Sequence, residues 1–122
     1  MLLDSNIIIY ATLPENAFLV DLLAQESLAI SVVTQIETLG YHRLSKAEKA
    51  HLTELLDNLT IYNLSPPVVN RAIHLRQIRP IGVADAVIAA TALIHNRVLI
   101  SRNLADFDWI VGLPLLDPFR ER

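Results

Sequence analysis

The stretch LLDSNIIIYA, residues 2–11, places one carboxylate between two apolar runs. Leu2-Leu3 favours a short buried strand that ends at Asp4, and the three isoleucines that follow favour a helix. An acid at this boundary can cap the helix, because its oxygens accept hydrogen bonds from the first backbone N–H groups. Whether Asp4 has a second role depends on which side chains follow the other strands.

Strand-like and helix-like segments alternate along the chain. Five apolar segments favour strands, at residues 2–3, 28–33, 60–64, 98–101 and 113–116. Six segments favour helices, at residues 7–13, 17–25, 35–44, 46–59, 66–78 and 86–96. This alternation predicts a parallel sheet with helices on both faces. We therefore expect an α/β fold: a single three-layer α/β/α domain over residues 1–122 with a central, mostly parallel sheet of four to five strands.

Local signals mark the ends of three of these helices. Ser45 ahead of Glu48 favours a helix start. Ser65 ahead of Pro66 favours another, because its hydroxyl can cap the helix and proline suits the first helical position. Asn96 favours a helix end in the left-handed conformation.

The composition excludes several kinds of protein and site. Hydrophobic residues make up 52% of the chain and charged residues 19%, which favours a well-buried globular domain over disorder. The lack of cysteine excludes a disulfide framework, a thiolate metal site and a cysteine nucleophile. No apolar run approaches the ~18 residues of a membrane span, and no leader is visible, so we expect a cytoplasmic protein without membrane contact.

The charged residues leave room for only a local contact with nucleic acid. A formal charge of −3 argues against binding over the whole surface. A local basic strip for nucleic acid is possible on one helix, at Arg71, His74, Arg76 and Arg79. The alternative is that these residues form a solvated helix face. The histidines show no paired metal-binding spacing and favour surface or helix-end positions: His42, His51, His74 and His95.

Acidic side chains follow the predicted strands or begin the helices next to them. Asp4 follows the first strand, Glu37 comes shortly after the second, and Asp85 begins a helix that is otherwise almost wholly apolar. Each has a structural alternative: a helix cap for Asp4, a capping box with Thr34 for Glu37, and a favourable helix N-terminus for Asp85. Because the carboxyl ends of parallel strands border one crevice, we expect the three acids to converge there.

The fourth strand adds a polar segment to the same edge. It ends in Ser101-Arg102-Asn103, and Asn103 or the following Asp106 could supply a further oxygen ligand, although Asp106 also suits a solvated loop. Clustered carboxylates resist ionising together unless a divalent cation neutralises them. Oxygen ligands favour Mg²⁺ or Mn²⁺ over zinc, which predicts metal-activated attack of water on a phosphodiester.

Taken together, these motifs resemble those of the PIN-domain ribonucleases and, more narrowly, the VapC toxins of bacterial and archaeal toxin–antitoxin pairs. The resemblance covers essentially the whole chain and is carried by LDSN at residues 3–6, Glu37, ADAVIAA at residues 84–90 and SRNLADF at residues 101–107. It implies that Asp4, Glu37 and Asp85 are the catalytic acids and the ligands of Mg²⁺ or Mn²⁺.

The resemblance also implies roles for neighbouring residues. Asn6 and Ser101 match polar residues that support the site in that family. The family's fourth acid falls at or near Asn103, an amide here, and Asp106 is the nearest carboxylate that could serve as a metal ligand. Arg102 and Arg79 are our candidates for RNA contacts.

Activity and partners follow from the same resemblance. It implies endonucleolytic cleavage of RNA to a 3′-hydroxyl and a 5′-phosphate, a homodimer, and a cognate VapB-like antitoxin whose tail occupies the active-site groove. We expect the helices over residues 17–23 and 46–59 to contribute surface to the dimer or to the antitoxin contact.

Three other readings stay open at this level. A catalytically impaired PIN-like scaffold is motivated by Asn103. A phosphoacceptor receiver domain also has alternating strands and helices and an early Asp. It needs a lysine after a late strand, however, and the only lysines here are Lys46 and Lys49, both in the middle of the chain. A phosphatase with an early Asp-x-Asp pair lacks its second acid, because residue 6 is asparagine.

Overall fold

A computed structural model describes residues 1–24 and 27–120, and within them five strands form one parallel sheet. The strands are β1 (Leu2–Leu3), β2 (Ala29–Ser31), β3 (Thr60–Tyr62), β4 (Leu99–Ile100) and β5 (Leu115–Leu116). The helices are α1 (Ser5–Ala11), α2 (Ala17–Ala24), α3 (Val32–Leu39), α4 (Lys46–Asp57), α5 (Pro66–Ile78) and α6 (Val83–Ile94), with short 3-10 helices at Pro14–Asn16 and Leu104–Asp106. The predicted α/β fold is confirmed, and every strand pairing in this sheet is parallel.

The sheet buries one apolar layer on each face, because successive strand residues point to opposite sides. Leu2 and Leu99 pack with the buried side chains of α5 and α6 and with Phe107, which we name the α5–α6 layer. Leu3 and Ile100 pack with the buried side chains of α1, α2 and α4, which we name the α1–α2–α4 layer. The ends of the strands therefore lie between two well-packed helical layers.

The strand order places a switch point between β1 and β4. The sheet runs β3-β2-β1-β4-β5, so the chain builds outward from β1 to β3 on one side and then returns to add β4 and β5 on the other. In open α/β sheets, ligands bind at the carboxyl ends of the strands where the winding direction reverses in this way. Asp4 follows β1 and Ser101 follows β4, so both lie at this point.

The boundary between β2 and α3 differs from the prediction. The strand ends at Ser31 rather than Val33, and α3 replaces the helix expected over residues 35–44. The Ser31 hydroxyl accepts a hydrogen bond from the backbone N–H of Val33 at 3.1 Å and so starts the helix earlier. The predicted capping box of Thr34 and Glu37 is therefore wrong, because both residues lie inside α3.

Other boundaries shift by a few residues. α1 begins at Ser5, since the Asp4 side chain accepts a hydrogen bond from the Ser5 backbone N–H, and α6 begins at Val83 rather than residue 86. The third, fourth and fifth strands are shorter than predicted. α2 is helical to Ala24, and the predicted helix end at residue 25 lies outside the described residues.

The other helix-end signals are confirmed. Ser45 and Glu48 form a reciprocal capping box, and Asn96 adopts a φ of 53° after α6. Ser65 is the N-cap residue of α5 as predicted, but its hydroxyl makes no capping hydrogen bond there. None of the helices within the described residues combines the length and the apolar character needed to cross a membrane.

Candidate active site

Asp4 is the most constrained of the predicted acids. It is 5% exposed, and its backbone N–H bonds the carbonyl of Ile100 at 2.9 Å, which ties β1 to β4 at their carboxyl ends. Its Oδ1 accepts the Ser5 backbone N–H at 2.8 Å, and its Oδ2 accepts the Ser101 hydroxyl at 2.8 Å. Ser101 in turn accepts the backbone N–H of Asn103 at 3.0 Å. The cap role weighed for Asp4 and its place at the switch point therefore both hold.

Glu37 reaches the same edge from α3. Its Oε1 accepts the Ser5 hydroxyl at 2.6 Å, and that hydroxyl also lies 3.2 Å from Oγ1 of Thr34. A serine hydroxyl has one proton to donate, and the shorter contact, to a carboxylate, is the stronger of the two. Ser5 thus connects Asp4 to Glu37, with its backbone N–H on one acid and its hydroxyl on the other.

Asp85 and Asp106 share a cavity on the α5–α6 side of the strand ends. The cavity has a volume of about 310 Å³ and is bordered by the α5–α6 connection, by the first turn of α6 and by the segment after β4. Asp85 is half-buried in the first turn of α6, ahead of seven consecutive buried residues from Ala86 to Ala92. Asp106 is exposed at the end of the second 3-10 helix. The full lining is Arg79, Pro80, Ile81, Gly82, Asp85, Ala105, Asp106 and Trp109.

Electrostatic repulsion links these acids. Burial raises the pKa of Asp4 above its ordinary value, the hydrogen bonds from Ser101 and Ser5 oppose that rise, and the negative charges of Glu37 and Asp106 add to it. Burial also raises the pKa of Asp85, and the charges of Asp4, Asp106 and Glu37 raise it further. Asp4 therefore lies within electrostatic range of Glu37 and Asp106, and Asp85 lies within range of Asp4, Asp106 and Glu37.

The donor atoms suit a hard divalent cation, but the side chains do not form a complete cage. Among residues 1–24 and 27–120, no three His, Asp or Glu side chains are placed to hold a metal ion as they stand. Mg²⁺ is usually bound by one or two carboxylates together with water and substrate phosphates. Asp4 is a buried carboxylate with one hydrogen bond to each oxygen, and further carboxylates lie beside it. These oxygen ligands are of the type that Mg²⁺ binds in this way.

The remaining predicted residues lie around this cluster at varying distances. Asn6 is exposed and borders a groove beside Glu37, and within the described chain it makes no hydrogen bond to the predicted acids. Asn103 is exposed, and its backbone, rather than its amide, contacts Ser101. Arg102 and Arg79 are both exposed and lie over aromatic rings.

Some residues of the site were not predicted. Ser5 bridges two acids, and its position next to Asp4 is the available signal in the sequence. Trp109, Tyr10 and Phe119 hold the two arginines, and no sequence spacing links them to those partners.

Solved structures with the same fold include a toxin–antitoxin complex. A chain of a toxin–antitoxin complex from Klebsiella pneumoniae is 29% identical, with 96% of each chain covered and a TM-score of 0.78. A chain of FitAcB from Neisseria gonorrhoeae is 26% identical over 97% of each chain, with a TM-score of 0.79. A chain of VapBC2 from Rickettsia felis, bound to a DNA fragment from its promoter, is 25% identical over 94% of this chain and 96% of that one, with a TM-score of 0.79. No curated protein matches the chain.

The sheet order and the family match exclude the receiver domain. Receiver-type doubly wound sheets have the strand order 2-1-3-4-5, whereas this sheet has the order 3-2-1-4-5. The PIN domain family matches residues 1–108, which includes β1 to β4 and all of the predicted acids. The chain belongs to the PIN domain family.

Proposed function

We propose that this protein is a VapC-like toxin: a metal-dependent endoribonuclease that a cognate antitoxin holds inactive. The observation that carries the proposal is the buried Asp4 carboxylate at the switch point, held by Ser5 and Ser101 and repelled by neighbouring acids. The match to the PIN domain family and the toxin–antitoxin complex among its structural relatives support the same assignment.

Asp4, Glu37 and Asp85 would hold Mg²⁺ or Mn²⁺, with Asp106 as a further candidate ligand. The bound cation would supply activation of water and stabilisation of charge on the phosphodiester. The protein's own residues position the acids: Ser101 and Ser5 fix Asp4, and the Ser5 hydroxyl fixes Glu37. Because the pKa values of Asp4 and Asp85 are raised, cation binding would release protons and strengthen as pH rises.

A groove beside the site has the form expected for an antitoxin segment. It measures about 710 Å³ and runs between α1, α3 and α4, next to Ser5 and Glu37. Apolar side chains, among them Ile9, Leu13 and Leu44, line it together with polar ones. A mixed apolar groove of this kind suits an amphipathic helix or an extended tail. We propose that the antitoxin lies here and that its end reaches the acids.

RNA cleavage by the purified protein tests the catalytic assignment. We expect Mg²⁺- or Mn²⁺-dependent cleavage of RNA that leaves 5′-phosphate ends. Asp4→Asn and Asp85→Asn should each lower the rate by at least ~10²-fold, the scale on which single groups act on a transition state. Asp57→Asn removes an exposed acid at the end of α4 and should leave the rate unchanged.

Two outcomes would contradict the proposal. Cleavage that persists in both Asp4→Asn and Asp85→Asn would point to a contaminating nuclease. A folded protein that binds the product of its neighbouring gene but cleaves no RNA in either metal would instead support the impaired scaffold that Asn103 motivates.

A further inference from the structure

Two arginines flank the acidic cluster, one on each face of the sheet. Arg79 lies over the ring of Trp109, with its guanidinium carbon 5.1 Å from the centroid, and Trp109 packs against the α5–α6 layer. Arg102 lies over Phe119 at 4.1 Å and over Tyr10 at 5.1 Å, and both of these rings pack against the α1–α2–α4 layer. The carboxyl ends of β1 and β4 run between them.

The backbone around Arg79 is fixed. Arg79 directly precedes Pro80 and has the extended conformation that proline favours in the residue before it, with φ −161° and ψ 163°. The Arg76 side chain donates to the carbonyl of Ile81 at 3.1 Å and ties the connection between α5 and α6 to α5. The Arg79 side chain therefore borders the cavity of Asp85 from a rigid connection.

Arg102 is fixed through its neighbour on the chain. The Ser101 hydroxyl donates a hydrogen bond to Asp4. This bond holds the backbone at residue 101, and therefore the start of Arg102, beside Asp4. Phe119 itself makes edge contacts to Tyr10 and Phe18, at centroid distances of 5.5 and 5.4 Å. Arg102 thus lies on a cluster of three aromatic rings at the border of the site.

Neither arginine neutralises the acids next to it. Among the described residues the one ion pair within 4 Å joins Arg120 to Asp117, although Arg79 shares a cavity with two carboxylates. An aromatic ring attracts the positive charge but accepts none of the five N–H donors in the ordinary way, so those donors stay available to another acceptor. A side chain already ordered on a ring also loses less entropy when it binds a ligand.

We propose that Arg79 and Arg102 are the two phosphate contacts that carry single-stranded RNA across the strand ends. The backbone of the RNA would cross from the α5–α6 layer to the α1–α2–α4 layer, with the reacting phosphodiester over the acids between them. Guanidinium groups bind phosphate through paired N–H donors, and a chain of charge −3 needs such local contacts. This inference rests on the proposed ribonuclease function.

The salt dependence of RNA binding measures these contacts directly. Binding of a fluorescein-labelled, random-sequence single-stranded RNA is followed by anisotropy over a range of salt concentrations, in an Asp4→Asn background that prevents cleavage. Each phosphate contact on single-stranded nucleic acid contributes about 0.7 to the slope of log K against log salt. Arg79→Met and Arg102→Met should each lower the slope by ~0.7, and the double variant by ~1.4, because the two contacts are separate.

Matched variants separate a phosphate contact from a loss of structure. Lys49→Met removes one positive charge from an exposed position on α4 and should leave the slope unchanged. Arg79→Lys and Arg102→Lys keep the charge and should restore the slope. In the active protein, Trp109→Leu and Phe119→Leu should raise KM more than they lower kcat, because they release the arginines without removing them.

The possible results separate this inference from the proposed function. If the slopes of Arg79→Met and Arg102→Met match that of Lys49→Met while Asp4-dependent RNA cleavage is present, the RNA path is refuted and the function stands. If those variants instead lose affinity for the co-expressed partner alone, the arginines are protein contacts and the inference is overturned. A wild-type protein that neither binds nor cleaves RNA refutes both.

Discussion

Replacing Ser101 by alanine removes the hydrogen bond that fixes Asp4. Ser101 is fully buried, and its hydroxyl donates to Asp4 Oδ2 at 2.8 Å and accepts from the Asn103 backbone at 3.0 Å. A hydrogen bond to a charged group contributes about 1.5–3 kcal/mol to stability and a neutral one about 0.5–1.5 kcal/mol. We therefore expect Ser101→Ala to lower the free energy of unfolding by about 2–4 kcal/mol at neutral pH.

The loss should depend on pH, because the Ser101 hydroxyl stabilises the ionised form of Asp4. Burial already raises the pKa of Asp4 above its ordinary value, and removing the hydroxyl raises this pKa further in the folded state but not in the unfolded state. Above the folded pKa of the variant the penalty is at its full size. As pH falls through that pKa and then through the wild-type one, Asp4 becomes protonated in both proteins and the penalty shrinks.

Urea unfolding in EDTA, repeated between about pH 4 and pH 7, measures this difference. Ser31→Ala is the matched control: Ser31 is equally buried at the end of β2, but its hydroxyl caps α3 on the neutral N–H of Val33 at 3.1 Å. It should cost ~1 kcal/mol at every pH. A Ser101→Ala penalty that is the same at both ends of the pH range would refute the role assigned to Ser101.

Three further predictions concern the metal and the packing around the site. Millimolar Mg²⁺ or Mn²⁺ at ten times its Kd should stabilise the wild type by about 1.4 kcal/mol, and Asp85→Asn should abolish this rise in melting temperature. Phe107→Ala should cost about 3–5 kcal/mol in urea unfolding, since Phe107 is 1% exposed, whereas the Leu variant should cost less than about 1.5 kcal/mol. Gly40→Ala should lower the free energy of unfolding by about 1–3 kcal/mol, because the added Cβ would collide with the carbonyl oxygen of Ile36. Gly82→Ala is the control: a Cβ there meets nothing within 4 Å, so stability should change by less than about 1 kcal/mol.

The sequence is enough to predict the layers and the order of the elements, because the local signals agree with the global fold. Apolar strand segments such as residues 28–30 are bounded by polar or helix-starting residues, and α6 is so apolar that only a buried position suits it. The β2–α3 boundary could not be read in the same way. Val32 and Val33 favour a strand by propensity, but the Ser31 hydroxyl and the tertiary position of α3 override it.

The acidic cluster was partly predictable for a topological reason. A parallel sheet brings its carboxyl ends to one edge, so residues that follow β1 and β4 meet whatever their distance along the chain, as Asp4 and Ser101 do. The contact between Ser5 and Glu37 and the aromatic partners of the arginines depend on how α1, α3 and the C-terminal residues pack. No periodicity or spacing in the sequence specifies those positions.

The carboxylates at the strand ends lower the stability of the fold and favour the binding of a cation. Burial and neighbouring carboxylates raise the pKa of Asp4 and Asp85, which destabilises the metal-free fold at neutral pH. Arg79 and Arg102 could relieve the repulsion by pairing with these acids. Aromatic rings hold both guanidinium groups instead, and within the described residues neither arginine forms an ion pair with Asp4 or Asp85. Carboxylates without such a partner favour a divalent cation, and in the RNA path that we propose the arginines keep their donors for phosphate. The stability lost at the strand ends is thus the physical basis for the affinity that a metal-dependent nuclease would need there.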